Sequence, residues 1–315
     1  MSSRILDDIA EEARKGSFGT GEDQASVIRG IELLKRQKLN VAFVGATGVG
    51  KSSTINSIFN MDVAKVGDRT DPETASIQKY ELDNMVLWDT PGLGDNPEKD
   101  RQYAVEIAGL LKRKDEKGDL LIDEVVVLVD GSNRDMKTAY ETIEHVVAPY
   151  IEDPKRIIIA INQCDVALKG RFWNNDRCEP EAQLAAFLDQ KVTSVRERIA
   201  GSTGIATSPM YYSALHHYNI SKLLLAMIIA VPEKKRFLFT DSLNRNPDVW
   251  KKNDELETYN QKIQQEVKGS LSKALEGAAA GAAAGASIGS LIPVIGTTIG
   301  AAVGAALGFL GGLLG

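Results

Sequence analysis

The chain has few cysteines, few histidines and no dominant cluster of basic residues. Its 315 residues contain two cysteines, Cys164 and Cys178, neither of which lies in a metal-binding spacing. We interpret the three histidines, His145, His216 and His217, as surface or packing residues, because no second group of ligands accompanies them. The net charge of −6 and the pI near 5.3 argue against bulk nucleic acid as the main partner. The first residues are charged and contain no apolar signal-peptide core, so we expect a cytoplasmic, reducing location.

Charge is also absent from residues 277–315, where glycine recurs at every fourth position in two sets. Pro293 separates the sets and disfavours a continuous helix, so we predict a Gly-rich helical hairpin, a glycine zipper. Glycine inside a helix costs up to about 1 kcal/mol relative to alanine, and close helix packing must offset that cost. The second arm, residues 294–314, is about 31 Å long as a helix, which matches a hydrocarbon core.

The tail therefore has several possible roles. The first hypothesis is membrane association, at the inner face of a membrane. Soluble homo-oligomerisation, docking on the rest of the chain and plain low-complexity disorder remain alternatives. The first arm is mostly Ala and Gly, too weakly apolar to drive insertion by itself.

The rest of the chain has an ordinary globular composition, with 43% hydrophobic and 25% charged residues. Residues 3–15 and 25–38 have helical periodicity and form an N-terminal lead-in over 1–38. Its helices pack on the following domain or, as the alternative, contact a partner or a membrane. The remaining predicted boundaries are 39–232 for one large domain, 233–276 for a polar helical linker and 277–315 for the tail.

The stretch that begins at Gly45 and ends at Ser52 reads G-A-T-G-V-G-K-S and fits G-x-x-x-x-G-K-S/T at every fixed position. Its glycines allow backbone N–H groups to surround a phosphate, Lys51 reaches the outer oxygens, and the Ser52 hydroxyl can ligate Mg²⁺. An apolar run of strand length precedes it, and a helix-like segment over 51–59 follows. This context predicts nucleotide binding.

Strand-like and helix-like segments then alternate. A hairpin over 76–88 ends at Asp89, and strands at 124–130, 156–162 and 209–213 alternate with helices at 98–113, 137–150, 180–199 and 220–231. The pattern predicts an α/β fold with a doubly wound, mostly parallel sheet and ligand loops at the carboxyl ends of the strands. A further helix over 253–276 either packs or transmits movement toward the tail.

Polar residues follow the ends of these strands. Asp89 is placed to reach the Mg²⁺ shell, and Gly92 allows an amide to approach a terminal phosphate. Asp165 follows the strand at 156–162. Its carboxylate can accept both the N1–H and the 2-amino N–H of guanine, whereas adenine offers no such pair of donors. The purine is therefore predicted to be guanine.

The order of five short segments, or boxes, resembles that of the translation-factor-related P-loop GTPases. The boxes are Gly45 to Ser52, a threonine in the loop that follows, Asp89 to Gly92, Asn162 to Asp165, and Ser213-Ala214. The run from Trp88 to Asp95, W-D-T-P-G-L-G-D, is similar to the third box of the Era-like branch. The resemblance covers residues 39–232 and implies GTP/GDP and Mg²⁺ as cofactors and GTP hydrolysis as the activity. The nucleotide contacts that it implies are Gly45, Gly48, Val49, Gly50, Lys51, Ser52, Ser53, Asn162, Gln163, Asp165, Ser213 and Ala214.

The resemblance also implies roles for individual residues. Ser52, a switch threonine and Asp89 hold Mg²⁺, Asp89 through water, and Lys51, the threonine and Gly92 act at the phosphates. Thr74 is our choice for the switch threonine and Thr70 is the alternative. Ala214 gives its amide to the guanine carbonyl.

Three departures from the family pattern affect the expected activity. Gln163 replaces the usual Lys of the base box, and guanine choice should survive that change. Leu93 stands where many small GTPases have a water-positioning Gln, so intrinsic hydrolysis should be slow. Gly48 replaces the Asn of potassium-stimulated relatives. Arg69, in the loop before the hairpin, either supplies charge to the site or is simply solvated.

The sequence thus predicts a slow GTPase switch that controls the tail. The alternatives are a GTP-dependent scaffold with negligible turnover and a ribosome-assembly GTPase.

Overall fold

The computed structural model describes residues 4–15, 21–63, 65–66, 76–133, 136–151, 153–250 and 256–278. The strands are β1 (Leu39–Gly45), β2 (Lys65–Val66), β3 (Gln78–Glu81), β4 (Met85–Asp89), β5 (Glu124–Asp130), β6 (Ile157–Asn162), β7 (Trp173–Asn174), β8 (Glu179–Pro180) and β9 (Met210–Tyr211). The α-helices are α1 (Arg4–Arg14), α2 (Gly21–Lys35), α3 (Lys51–Ile58), α4 (Pro97–Lys112), α5 (Lys137–Glu141), α6 (Ala182–Thr203), α7 (Ile220–Ala230) and α8 (Leu256–Ala278).

Within these ranges one sheet of seven strands has the order β2-β3-β4-β1-β5-β6-β9. β1 pairs in parallel with β4 and β5, β5 with β6, and β6 with β9, whereas β2 and β3 form an antiparallel edge. The doubly wound, mostly parallel sheet predicted from the sequence is confirmed. Because the central strands run in parallel, their carboxyl ends meet at one edge.

Alternate residues of the central strands face two separate hydrophobic cores. Val41 and Phe43 of β1 belong to one core, and Ala42 and Val44 belong to the other. The period of two places successive side chains on opposite faces of the sheet. Since both faces are covered, these strands are continuous apolar runs.

The N-terminal helices pack on the sheet domain, as the sequence predicted. Ile9 of α1 and Ile31 of α2 are fully buried in the same core as Val267 of α8. Helix α8 therefore packs against the rest of the chain through its apolar side chains. Residues on either side of 39–232 contribute to one core. The predicted domain boundaries remain predictions.

The stretch 233–276 buries more apolar surface than its polar composition suggested. A 3-10 segment, Glu233–Ser242, places Phe237 and Phe239 inside the core, and Trp250 is fully buried nearby. Ser270 of α8 accepts the backbone N–H of Phe237 at its hydroxyl over 3.0 Å. Helix α8 is thus joined to the domain by packing and by a buried hydrogen bond.

Two local features differ from simple helix and strand patterns. The helix predicted over 137–150 begins as α5, continues as a π-helix, Thr142–Val147, and ends in a 3-10 turn, Ala148–Tyr150. Between β6 and α6 lies a small antiparallel hairpin of β7 and β8, which the sequence did not predict. Trp173 and Cys178, in and beside this hairpin, pack in one cluster with Cys164, which directly precedes Asp165.

The Gly-rich tail lies almost entirely outside the described residues, which end at Ala278. None of the helices within the described ranges combines the length and the apolar character that crossing a membrane requires. The predicted hairpin of the tail therefore stays a prediction.

Candidate nucleotide-binding site

The glycine-rich loop connects the end of β1 to the start of α3. Gly48 and Gly50 have positive φ angles of 73° and 92°, a backbone conformation that favours glycine. At Gly45 an added Cβ would lie 2.6 Å from the carbonyl oxygen of Leu128, so only glycine fits beside β5. The backbone N–H groups at the N-terminus of α3 are consequently available to an anion.

Lys51 crosses back over this loop. Its Nζ donates to the carbonyl oxygens of Gly45 at 3.1 Å and Ala46 at 3.0 Å. The pKa of the Lys51 ammonium is lowered from its usual value, chiefly by burial. The negative charges of Asp89 and Asp95 partly offset this effect. A buried cation whose hydrogen bonds go to two carbonyl oxygens is well suited to a polyanionic ligand.

Ser52 and Asp89 form the second part of the site. The Ser52 hydroxyl donates to Asp89 Oδ2 over 2.8 Å, although the two residues lie on α3 and at the end of β4. Asp89 Oδ1 is buried and has no hydrogen-bond donor among the described residues. The pKa of the Asp89 carboxyl is raised above its usual value, chiefly by burial. The Ser52 hydrogen bond and the Lys51 charge partly offset this effect. A hydroxyl and an orphaned carboxylate oxygen fit the oxygen shell of Mg²⁺.

Gly92 lies directly against the phosphate loop. A Cβ at this position would come within 2.6 Å of the Thr47 backbone nitrogen, and the Thr47 N–H donates to the Leu93 carbonyl over 3.0 Å. The side chain of Leu93 is buried in the core on the α4 side of the sheet. Leu93 therefore takes part in packing, which is consistent with its inability to orient water.

Asn162 joins the two halves of the site. Its Nδ2 donates to the Val49 carbonyl over 2.8 Å, and its Oδ1 accepts the Ala214 N–H over 3.0 Å. The side chain is buried. One amide thus fixes the phosphate loop relative to the loop after β9.

The other predicted base-recognition residues surround Asn162. Gln163, with φ of 61°, donates from Nε2 to the Gly48 carbonyl over 2.8 Å. Asp165 is buried, and Ser213 accepts the His216 N–H at its hydroxyl over 3.2 Å. Ser57 donates to the Ala214 carbonyl over 3.3 Å and to the carbonyl of Ser53 over 2.9 Å.

The fold thus brings together the predicted phosphate, metal and base residues at the carboxyl ends of β1, β4, β6 and β9. Thr74, its alternative Thr70, and Arg69 lie outside the described residues. Sequence reasoning missed His216, whose Nε2 lies 3.8 Å from Asp165 Oδ2, and Trp173, whose ring packs against His216. The sequence signal that could have identified His216 was its position two residues after Ala214.

Comparison with known proteins gives a consistent result. Residues 40–163 match the family described as "50S ribosome-binding GTPase". Over 198 residues the chain is 27% identical to the tRNA modification GTPase MnmE of Chromohalobacter salexigens, a match that covers 62% of this chain and 41% of that protein. Over 79 residues it is 38% identical to the "Probable GTP-binding protein EngB" of a Thermotoga species, covering 22% of this chain and 40% of that protein.

Among solved structures, that of an EngB protein is 20% identical and covers 61% of this chain and 97% of its own, with a TM-score of 0.38. The LeoA bacterial dynamin GTPase is 14% identical and covers 95% of this chain and 48% of its own, with a TM-score of 0.40. The chain spans about two fifths of the length of the MnmE proteins that it matches.

Proposed function

We propose that this chain, which contains a P-loop GTPase domain, binds GTP and GDP with Mg²⁺, hydrolyses GTP slowly, and uses the nucleotide state to control its C-terminal tail. The observation that carries the proposal is the double contact of Asn162 with Val49 and Ala214. These contacts support the proposal because they fix the end of β6, three residues before Asp165, relative to the glycine-rich loop after β1.

The chemistry follows from the residues at the phosphate end. Lys51 neutralises the outer phosphate oxygens, and the Gly92 amide donates to the terminal phosphate. Ser52 and Asp89, with a switch threonine that we assign to Thr74, would hold Mg²⁺. When bound, Mg²⁺ neutralises charge that develops on the phosphates. Asp165 selects guanine because an adenine base would leave this buried carboxylate without donors.

Turnover by the isolated chain is slow in this proposal. The buried side chain of Leu93 cannot orient the attacking water, so a partner or self-association has to complete the site. We assign the domain to the Era-like branch on the run from Trp88 to Asp95. A scaffold with negligible turnover is the alternative, and measurable hydrolysis that lipid or high protein concentration accelerates would exclude it.

Titration with fluorescent GTP, GDP and ATP tests nucleotide choice. We expect dissociation constants of about a micromolar or tighter for GTP and GDP, and binding to ATP weaker by a factor of about a hundred or more, since the unsatisfied Asp165 costs several kcal/mol. Lys51→Ala should abolish binding. Lys155→Ala, which removes an exposed lysine, is the matched control and should bind normally. Equal affinity for ATP would refute the assignment of Asp165.

The tail is proposed to associate with a membrane, on the strength of its uncharged sequence and regular glycines. A version that ends at Ala278 keeps α8 whole and removes the rest of the tail. Co-sedimentation with lipid vesicles should require the tail, and light scattering of both versions reports self-association. If the tail makes no difference to vesicle binding, the membrane role is wrong.

A ribosome-assembly role is also testable in the same experiment. The family description names ribosome binding, whereas the net charge of −6 disfavours binding to RNA. Co-sedimentation with ribosomes that persists without the tail would favour this alternative. We expect no such pelleting.

A further inference from the structure

The hairpin between Asp165 and α6 forms a wall beside the base-recognition residues. Trp173 of β7 is buried in a small cluster of its own, separate from the two main cores. The members of this cluster are Cys164, Ala167, Trp173, Cys178, Leu184, Leu188 and Tyr218. The Trp173 ring packs edge-on against Tyr218, with ring centroids 5.7 Å apart at 89°. Packing from several elements therefore fixes the indole.

His216 lies between this indole and Asp165. Its imidazole centroid is 5.3 Å from the Trp173 ring, and its Nε2 is 3.8 Å from Asp165 Oδ2. Its backbone N–H is bound to the Ser213 hydroxyl. The hydrogen bond to Ser213 thus fixes the backbone of His216, and the indole packs against its imidazole. The Nε2 atom faces the Asp165 carboxylate.

The distance of 3.8 Å is too long for a hydrogen bond. Nε2 and Oδ2 need to approach each other by about 0.6 Å to form one. An ionised carboxylate has about four lone-pair positions. Guanine takes one on each oxygen through N1–H and the 2-amino group, which leaves a position on Oδ2 for the imidazole.

We propose that His216, backed by Trp173, is a positioning residue that orients the Asp165 carboxylate for the two guanine donors. The inference rests on the proposed guanine-nucleotide function and goes beyond it, because it assigns part of the base selectivity to a side chain outside the recognised boxes. The imidazole restricts the carboxylate to the plane that the N1–H and 2-amino donors require. Without it, the carboxylate rotates and the two contacts are no longer made together.

The test compares His216→Phe with the wild type, using GDP and inosine diphosphate, whose base lacks the 2-amino group. Phenylalanine keeps a ring against Trp173 but removes Nε2. We expect GDP affinity to fall about tenfold and the preference for GDP over inosine diphosphate to shrink by a similar factor. The ratio of GTP to GDP affinity, which reports on the phosphate end, should not change.

His216→Gln restores a donor of similar reach and should recover most of the preference for GDP. His145→Phe makes the same chemical change at an exposed histidine and should behave as the wild type. If His216→Phe does not fold, as judged by thermal unfolding, the comparison of His216→Ala with His216→Gln asks the same question.

Three outcomes would overturn the inference. These are GDP affinity and preference that both stay as in the wild type, an equal fold-loss of GDP and inosine diphosphate affinity that leaves the preference unchanged, and a failure of glutamine to restore what the donor-free variant lost. Failure of the proposed function is distinct, because it appears in the wild type as equal binding of GDP and ADP.

Discussion

Asn162 donates from its side-chain amide to the backbone carbonyl of Val49 over 2.8 Å, although 113 residues separate them in the chain. The contact connects the carboxyl end of β6 to the phosphate loop that follows β1. Since β5 lies between these two strands in the sheet, the side chain spans one strand position. The predicted base-recognition residues are therefore connected to the predicted phosphate loop through one side chain.

We predict that Asn162→Ala weakens GDP binding by about ten- to a hundredfold, because it leaves the Val49 carbonyl and the Ala214 N–H without their partner. The free energy of unfolding should fall by about 1–3 kcal/mol. Nucleotide titration and urea unfolding measure the two effects. Lys155→Ala, which changes an exposed lysine, is the control, and an Asn162→Ala variant that binds GDP as the control does would contradict the connecting role of Asn162.

Replacing Leu93 with glutamine should not create a faster enzyme. The side chain of Leu93 is buried in the α4-side core, so Leu93→Gln places an amide in apolar surroundings at a cost of about 1–3 kcal/mol. We expect a lower unfolding temperature and single-turnover GTP hydrolysis within about twofold of the wild type. A tenfold acceleration without loss of stability would show that this side chain can reach the phosphates.

Glu106 of α4 binds Ser76, which lies just before the β3–β4 hairpin. It accepts the Ser76 hydroxyl and the Ser76 N–H at Oε2, the latter over 3.4 Å, and the Gln102 amide at Oε1 over 3.0 Å. Thr74, the proposed switch threonine, is two residues before Ser76. Glu106→Gln should therefore lower GTP affinity about three- to tenfold and change GDP affinity less.

Fluorescent-nucleotide titration in the presence of Mg²⁺ measures this ratio. Gln102→Ala, which leaves both contacts to Ser76 in place, serves as the control. A parallel loss of GTP and GDP affinity in Glu106→Gln would indicate that the contact supports only the fold.

Glu124, at the start of β5, makes stability depend on pH. Burial, with the nearby charge of Asp123, raises the pKa of its carboxyl well above the usual value, against an opposing effect of Arg156. Neither carboxylate oxygen has a hydrogen-bond partner among the described residues. A raised pKa in the folded state means that folding favours the protonated form. The contribution of Glu124 to stability is therefore greatest below the unfolded-state pKa of about 4.3 and declines as pH rises toward the folded-state pKa.

Glu124→Met removes the buried acid with little change in length. We predict that it raises the free energy of unfolding at pH near 8 by about 1–3 kcal/mol and removes much of the decline with pH. Chemical unfolding at a series of pH values measures both effects. Glu116→Gln changes an exposed acid and should leave the profile as it is; a destabilised Glu124→Met would mean that the carboxylate has a compensating partner.

Much of the fold was predictable because its signals are local. The buried central strands are apolar runs, and their alternation with helices indicates a parallel sheet. Once the sheet is parallel, Asp89 and Asn162 come to the same edge as the phosphate loop. The short hairpin of β7 and β8 has two residues in each strand and no apolar alternation, so its sequence carried no comparable signal.

The sequence by itself determined where the glycine-rich loop, Asp89 and Asp165 lie relative to the strands, since each depends on a few consecutive residues at the end of a strand. Only the tertiary structure decided that His216 lies beside Asp165 with Trp173 against its ring, and that the Leu93 side chain is buried. It also decided that Trp250 and the N-terminal helices share a core with α8. These contacts join segments that are distant in the chain. Their formation depends on the packing of whole faces against one another, which local spacing does not encode.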